Sequence, residues 1–507
     1  MNSRIAAVIV LAIAGVGAGA RQAVEPVDSA AIAKIRDEGL NRSQTAAMFS
    51  VLVDDIGPRL TGSPAHKRAA DWAKDMLSKW GLANSRLEAW EFGRGWQLDK
   101  FTIEMVEPRF MPLIGYAEAW SPSTAGEVIA PVQFIAGKSA ADVAALQVTL
   151  KGAAILQAAA VTNFIATDRV QPAQVPEPPA SAANAATAGR GGEGRGGRGA
   201  GGGRGAADPG AQTVDQAIRN GGAAVLLKPS RGMHGTVFLA GGRDNPQDLL
   251  PKIMLAGEHY NMIARMVQRG TPVKVRVNVQ ARFLEQDRNS YNVLAEIPGT
   301  DPALRNEVIM LGAHLDSWHT GQGATDNADG SVVVMEAFRI LKTLGLQPRR
   351  TLRLALWSGE EQGLLGARAW VRRHVQGEGG TPDTQKVSSY FNIDPGKGPI
   401  YGWYLENNED ARPVFDAWMA PFADLGYLKN VRAPIGNTDH VAFNGAGVPG
   451  FNPIQDYVDY DVREHHTNAD TAERIKDQDL KQNAIVLASV IYHAANRQQP
   501  IPSAVRK

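Results

Sequence analysis

The 507-residue chain contains no cysteine. Its stability must therefore come from core burial or bound metal, and any zinc site must use His nitrogen and carboxylate oxygen. No lipid-bearing cysteine follows the leader-like N-terminus. The chain also has almost no net charge, with 53 Lys+Arg against 52 Asp+Glu, so no overall field draws it to nucleic acid or to a membrane surface. After the first twenty residues no run is long and apolar enough to cross a bilayer.

Those twenty residues have the pattern of a secretory signal. Arg4 gives a short positive region, Ile5 to Val16 an apolar one, and Ala18-Gly19-Ala20 a small-x-small cleavage site. The expectation is a mature start near Arg21, export to the periplasm or the medium, and no membrane attachment after cleavage.

Length favours two domains, or one domain carrying an insertion. Residues 29–54 and 66–80 place apolar side chains at helical spacing, flanking the Gly/Pro-rich loop IGPRLTGSP, and FTIEMV reads as a strand. From 125 to 282 short apolar strands dominate, among them EVIAPVQFI, AAVLLKP and VKVRVNV, with few helices. Within this module Pro172 to Gly210 is low in complexity, first Pro/Ala-rich and then GRGGEGRGGRGAGGGRG. Glycine at that density buries too little area to offset its conformational entropy, which predicts a disordered loop. Its arginines, Arg190, Arg195, Arg198 and Arg204, have no aromatic neighbours to stack bases, so a nucleic-acid role is not expected. From about 288 strands and helices alternate, as in EVIMLGAH, VVVMEAFRILKTLG, TLRLALWS, LLGARAWVRRH and SSYFNID. This predicts an α/β fold, a mixed β-sheet with helices on both faces, and ligands at the carboxyl ends of strands.

At those ends stand the residues with chemistry. His314 ends one strand, with Asp316 two residues on and able to fix the ring through its far nitrogen. Asp326 lies in a Gly-rich loop at a helix start, where a carboxylate can bridge two cations. Glu360 and Glu361 follow the next strand with diverging side chains, Asp394 follows the third, and His466 sits in HHTNADT. Taken singly each has a plain structural reading. His314 could be a satisfied core histidine, Asp326 or Asp329 a helix cap, and the glutamates the acidic first turn of a helix. Together, at successive strand ends, they meet the needs of a two-metal hydrolase: terminal ligands, a bridging carboxylate, and a metal-free carboxylate to handle protons.

HLDSWHTGQGATDNADG with TLRLALWSGEEQG, NIDPG and HHTNADT resembles the di-zinc exopeptidases of the bacterial leucyl aminopeptidase, aminopeptidase S and glutamate carboxypeptidase kind, and is especially similar to the carboxypeptidase Q group. The resemblance covers essentially the mature chain. It implies a phosphorylase/hydrolase-like peptidase domain over 21–124 and 283–507, with a protease-associated domain inserted at 125–282. It further implies two zinc ions per chain, one held by His314, Asp326 and Asp394. The second is held by the bridging Asp326 with Glu361 and His466. Glu360 is then the general base and Asp316 the partner of His314. The family's ligand is the His directly before Thr or Ser, which selects His466 and leaves His465 to line the substrate pocket. Two positions depart from the family: Asp329 replaces a smaller residue, and Pro395 follows Asp394.

The expected activity is hydrolysis of a peptide or dipeptide near a chain end. An aminopeptidase or dipeptidase pairs the substrate ammonium with carboxylates. A carboxypeptidase needs a cation, for which Lys397, Arg432 and Arg463 are the candidates, and GNTDHVAF is a segment that can shape the pocket. Glutaminyl-cyclase-like acyl transfer with one zinc, and a non-catalytic receptor-like relative, fit less well because no ligand and no base is missing. Oligomeric state stays open, with a homodimer among the options.

Overall fold

The computed structural model describes residues 25–174, 213–242, 250–378 and 385–504. The expected signal peptide and positions 175–210 of the expected disordered loop lie outside the described residues, and Pro172–Gln174 forms a short 3₁₀ turn.

Among the described residues two sheets form. The larger has seven strands in the order Ala83–Glu91, Asn289–Ile297, Thr351–Trp357, Glu307–His314, Lys386–Asn392, Gly450–Asp456 and Lys397–Tyr404. Its four central strands, from Thr351–Trp357 to Gly450–Asp456, are mutually parallel, while the outer pairings are antiparallel. This is the expected mixed sheet. The parallel register sets His314 opposite Trp357 and Gly312 opposite Asn392. The residues that follow these strands consequently emerge along one edge.

Side chains alternate between the two faces with the strand period of two. Ile309, Leu311, Leu352, Leu354 and Leu356 face one core, packed under the helices Asp329–Thr343 and Asp477–Asn496. Val308, Met310, Ala355 and Trp357 face the other, where Trp370 and Tyr390 pack around Phe443. Each fully buried Leu or Ile contributes roughly 1.5–3 kcal/mol, so this double-sided burial anchors the strand ends. The helix Asp329–Thr343 is buried on nearly every side, and its one arginine, Arg339, is paired internally with Glu336 at 2.7 Å and Glu38 at 2.8 Å.

The N-terminal periodicity does not give one helix. Ser29–Asn41 ends in a polar Asn-Arg-Ser stretch, and a second run starts at Thr45, whose backbone N–H is capped by Ser43. The helix Pro64–Lys79 begins as its sequence dictates, with Ser63 accepting from the His66 N–H and proline at the first position.

The second sheet has eight strands, and it begins at Gly95 rather than at the composition change near 125. Gly95–Glu107 pairs along its length with Lys274–Leu284, and Met111–Pro112 and Gly115–Ala117 also belong to it. The composition change near 125 therefore falls within this sheet, in which strands distant in sequence meet. Val275, Val277, Val279, Met105 and Ile253 form its core with Tyr260 and Ile263 of the helix Gly257–Gln268. An aromatic seam of Trp96, Trp120, Leu60, Leu239 and Trp318 joins it to the first sheet. No described helix is long and apolar enough to cross a membrane.

Candidate metal centre

The carboxyl edge of the central strands gathers the predicted residues. His314 is 1% exposed, and its Nε2 lies 3.1 Å from Asp326 Oδ1 and 3.7 Å from Asp394 Oδ1. The other carboxylate oxygen of Asp326 lies 3.3 Å from His466 Nε2, which is itself 2.8 Å from Glu361 Oε2. Two groups of potential ligands therefore share Asp326: His314 with Asp394 on one side, and His466 with Glu361 on the other. His465 also comes within 4.0 Å of Asp326 and is a second imidazole beside the latter group.

Local structure fixes each residue. Asp326 has extended rather than helical torsions (φ −126°, ψ 85°) and a cis bond to Asn327, just ahead of the helix at 329. The Asn327 side chain ties this turn to the carbonyl of Ile393, beside Asp394. Asp470, 3% exposed, accepts from the backbone N–H of Thr325 at 2.7 Å and of Asp326 at 3.2 Å. Beneath lies Arg59, fully buried, which donates to the carbonyls of Gly57, Leu315, Gln322 and Gly323. It thereby fixes the stretches after His314 and before Asp326. Burial lowers the Arg59 pKa to about 10, partly offset by Asp470, Asp316 and Asp326.

Asp316 acts differently from the expectation. The His314 Nδ1–H donates to the Asp316 backbone carbonyl at 3.0 Å, while the carboxylate stands 3.7 Å away, too far for a hydrogen bond. That carboxylate instead accepts from Thr61 Oγ1 at 2.7 Å and from the backbone N–H groups of Glu360 and Glu361 at 3.3 Å each. The tautomer of His314 is still fixed, and Asp316 also orients the glutamate pair.

The electrostatics are those of too many carboxylates in one place. Burial, together with Asp394, Asp439 and Glu361, pushes Glu360 well above the usual carboxylate range. Glu361 is pushed up to about 7 by burial and by Asp326, and Asp470 likewise to about 7. Burial alone would lower the two histidines. The surrounding carboxylates outweigh it, raising His314 well above its ordinary value and His466 to about 10. Asp326, despite burial, is held well below the usual range by those two imidazoles. His465 goes the other way, lowered to about 3 by burial and by His466.

The donor set fits divalent cations. His314 Nε2, Asp326 Oδ2 and both Glu361 carboxylate oxygens are buried and face one another without a well-aligned hydrogen bond, an arrangement that is costly unless a cation uses them. Imidazole and carboxylate without thiolate suit zinc. A narrow recess beside Asp326, Glu361 and His466 is walled by Trp318, Thr320 and Thr467.

Several residues of the site were not singled out beforehand. Asp470 lies within the HHTNADT segment, and Arg59 and Thr61 within the Gly/Pro-rich loop, but nothing in their spacing marks them. Asp439, in GNTDHVAF, is fully buried with neither carboxylate oxygen hydrogen-bonded. Two of the cations considered for a substrate carboxylate are engaged within the chain, Lys397 with Glu464 and Arg463 with Asp459 at 3.1 Å.

Residues 292–491, which contain all these candidate ligands, match the model of Peptidase family M28. Carboxypeptidase Q of Rattus norvegicus is 27% identical over 477 residues, covering 93% of this chain and 89% of that protein. Leupeptin-inactivating enzyme 1 of Streptomyces exfoliatus is 30% identical over 227 residues, 41% of this chain and 50% of its own length. In structure, the Peptidase M28 precursor from Shewanella amazonensis SB2B superposes with TM-score 0.65 at 24% identity, covering 93% of this chain and 98% of that one. BSAP, a zinc aminopeptidase from Bacillus subtilis, does so with TM-score 0.56 at 16% identity, covering 91% and 98%.

Proposed function

Because residues 292–491 match the model of Peptidase family M28, we propose that this chain is an exported two-zinc exopeptidase, an aminopeptidase or dipeptidase. The observation that carries the reading is the sharing of Asp326, whose two carboxylate oxygens face His314 on one side and His466 on the other. One zinc would be held by His314, Asp326 and Asp394, the other by Asp326, Glu361 and His466. Zinc, when bound, polarises a carbonyl and acidifies a water molecule. Glu360 takes the proton from the attacking water and returns it to the leaving amine. Asp316 keeps Glu360 in place through its backbone N–H, and the buried setting excludes bulk water from the proton transfer.

The amino end is favoured because the site is rich in carboxylate, while Lys397 and Arg463 are already ion-paired. A carboxypeptidase is the second reading, supported by the near full-length similarity to carboxypeptidase Q. Export rests on the N-terminal leader pattern. The deciding experiment is zinc content together with cleavage of a dipeptide panel carrying free or acetylated N-termini. About two zincs per chain and loss of cleavage on acetylation support the aminopeptidase or dipeptidase. Cleavage that survives acetylation but fails on C-terminal amidation supports the carboxypeptidase. A chain with neither zinc nor turnover overturns both.

A further inference from the structure

His466 has φ +61°, a left-handed backbone that a non-glycine residue holds only when its surroundings over-determine it. Much of what surrounds it comes from the second sheet and the segments attached to it. The N–H of Leu239 donates to the His466 carbonyl at 2.8 Å, Phe238 bridges Thr467, and the N–H of Val237 donates to the Asn468 side chain at 2.7 Å.

A second grip comes from the segment that leaves the second sheet after Leu156. The turn Tyr460–Glu464, immediately before the histidine pair, has no side-chain cap of its own. Asp168 supplies one from a distance, accepting from the backbone N–H groups of Asp459 at 2.9 Å and Val462 at 3.0 Å. Next to it, Arg169 holds the Asp461 carboxylate through its backbone N–H at 2.8 Å and its guanidinium, with Nε 2.8 Å from Oδ2. The same guanidinium lies over the rings of Tyr457 at 4.7 Å and Tyr460 at 5.4 Å. Tyr460 stacks on His465, with centroids 5.1 Å apart, and His465 lies 3.7 Å from His466. An unbroken series of contacts thus runs from Arg169 to the metal-facing imidazole.

We propose that Asp168 and Arg169 are positioning residues for the His466 metal position, acting through the 459–464 turn, Tyr460 and His465. This rests on the reading of His466 as a zinc ligand. The side chains are 38% exposed at Arg169 and 19% at Asp461, so the pair lies at the rim of the structure and its loss costs global stability modestly. Its effect is local: it decides where one imidazole sits relative to Glu361 and Asp326. Partners that orient a metal ligand commonly change metal affinity by 10- to 100-fold.

The test is zinc titration of the full chain against a chromogenic chelator, comparing wild type with Arg169→Leu, Arg169→Lys, Asp168→Asn and Asp461→Asn. His466→Ala identifies which zinc equivalent belongs to that position. Arg276→Leu, which breaks a pair with Glu104 inside the second sheet, is the control. Arg169→Leu is expected to weaken the His466 equivalent by about tenfold or more while leaving the other within about threefold and the metal-free Tm nearly unchanged. Arg169→Lys should fall between, since lysine keeps the charge but loses the planar fork that both pairs and stacks. The proposal is overturned if Arg169→Leu and Asp461→Asn bind both equivalents as tightly as wild type. It is equally overturned if both equivalents weaken together with a fall in metal-free Tm, the mark of general destabilisation. A wild-type chain that binds no zinc would instead overturn the metal centre itself.

Discussion

Asp470 accepts a hydrogen bond from the backbone N–H of Asp326 at 3.2 Å, so a carboxylate outside the proposed ligand set fixes the residue that would be shared by the two proposed metal positions. Asp470→Ala removes this bond and the one from Thr325, leaving two buried N–H groups unpaired. Each such orphan costs about 1–3 kcal/mol. The variant is expected to lose stability by an amount of that order and to bind both zinc equivalents more weakly. Retention of wild-type affinity at both positions would show that the 323–328 turn holds without Asp470.

Glu360→Gln preserves shape and burial but removes the proton acceptor. Zinc stoichiometry should stay at the wild-type value while kcat falls by about 10²- to 10⁴-fold, the usual worth of a positioned general base. Undiminished turnover would reassign the base.

The two adjacent histidines should separate cleanly. His466 Nε2 lies 2.8 Å from Glu361 and 3.3 Å from Asp326, whereas His465 reaches Asp326 only at 4.0 Å and is turned toward Tyr460. His466→Ala is expected to lose one zinc equivalent and His465→Ala neither. The reverse pattern in the two metal analyses would exchange their roles.

Without metal, the site makes stability depend on pH. A group that holds its proton more tightly folded than unfolded contributes stability below its unfolded pKa and loses it as pH rises through the folded value. Glu361, raised from 4.5 to about 7, gives up its share between those values. His466, raised from 6.5 to about 10, does so across the alkaline range. The zinc-free chain should therefore have a lower Tm at pH 9 than at pH 6, a gap that zinc narrows. Equal Tm values at the two pH values would contradict the assigned pairings.

The same protons must leave when metal arrives. His314 and His466 are both raised and become neutral ligands, so zinc binding at pH 7 is expected to release protons. Calorimetric titrations in buffers of different ionisation enthalpy measure that release. Buffer-independent heats would mean that the imidazoles do not ligate.

The clustering of these candidate residues was legible because central parallel strands, buried on both faces, appear in the sequence as apolar runs with an abrupt polar end. His314 closes EVIMLGAH, Glu360 and Glu361 follow TLRLALW, and Asp394 follows SSYFN. The supporting residues were not legible. Asp470 and Arg59 act on backbone N–H and carbonyl groups of loops remote in sequence, and such bonds leave no trace in residue spacing. At Asp316 the spacing predicts a carboxylate against the imidazole, whereas the backbone carbonyl takes that place, a group that residue identity does not reveal. The second sheet's true start was hidden for a related reason. GWQLDKFTIEMVE alternates as any half-buried strand does, and only its pairing with Lys274–Leu284 shows which sheet it joins.

Arg59 and Asp470 are far apart in sequence, yet both brace the loops around the candidate metal centre. A chain emerging from the ribosome therefore presents Arg59 before either His466 or Asp470 exists. On the proposed reading, the candidate metal centre is complete only once both His466 and Asp470 have been made and have folded back against Asp326.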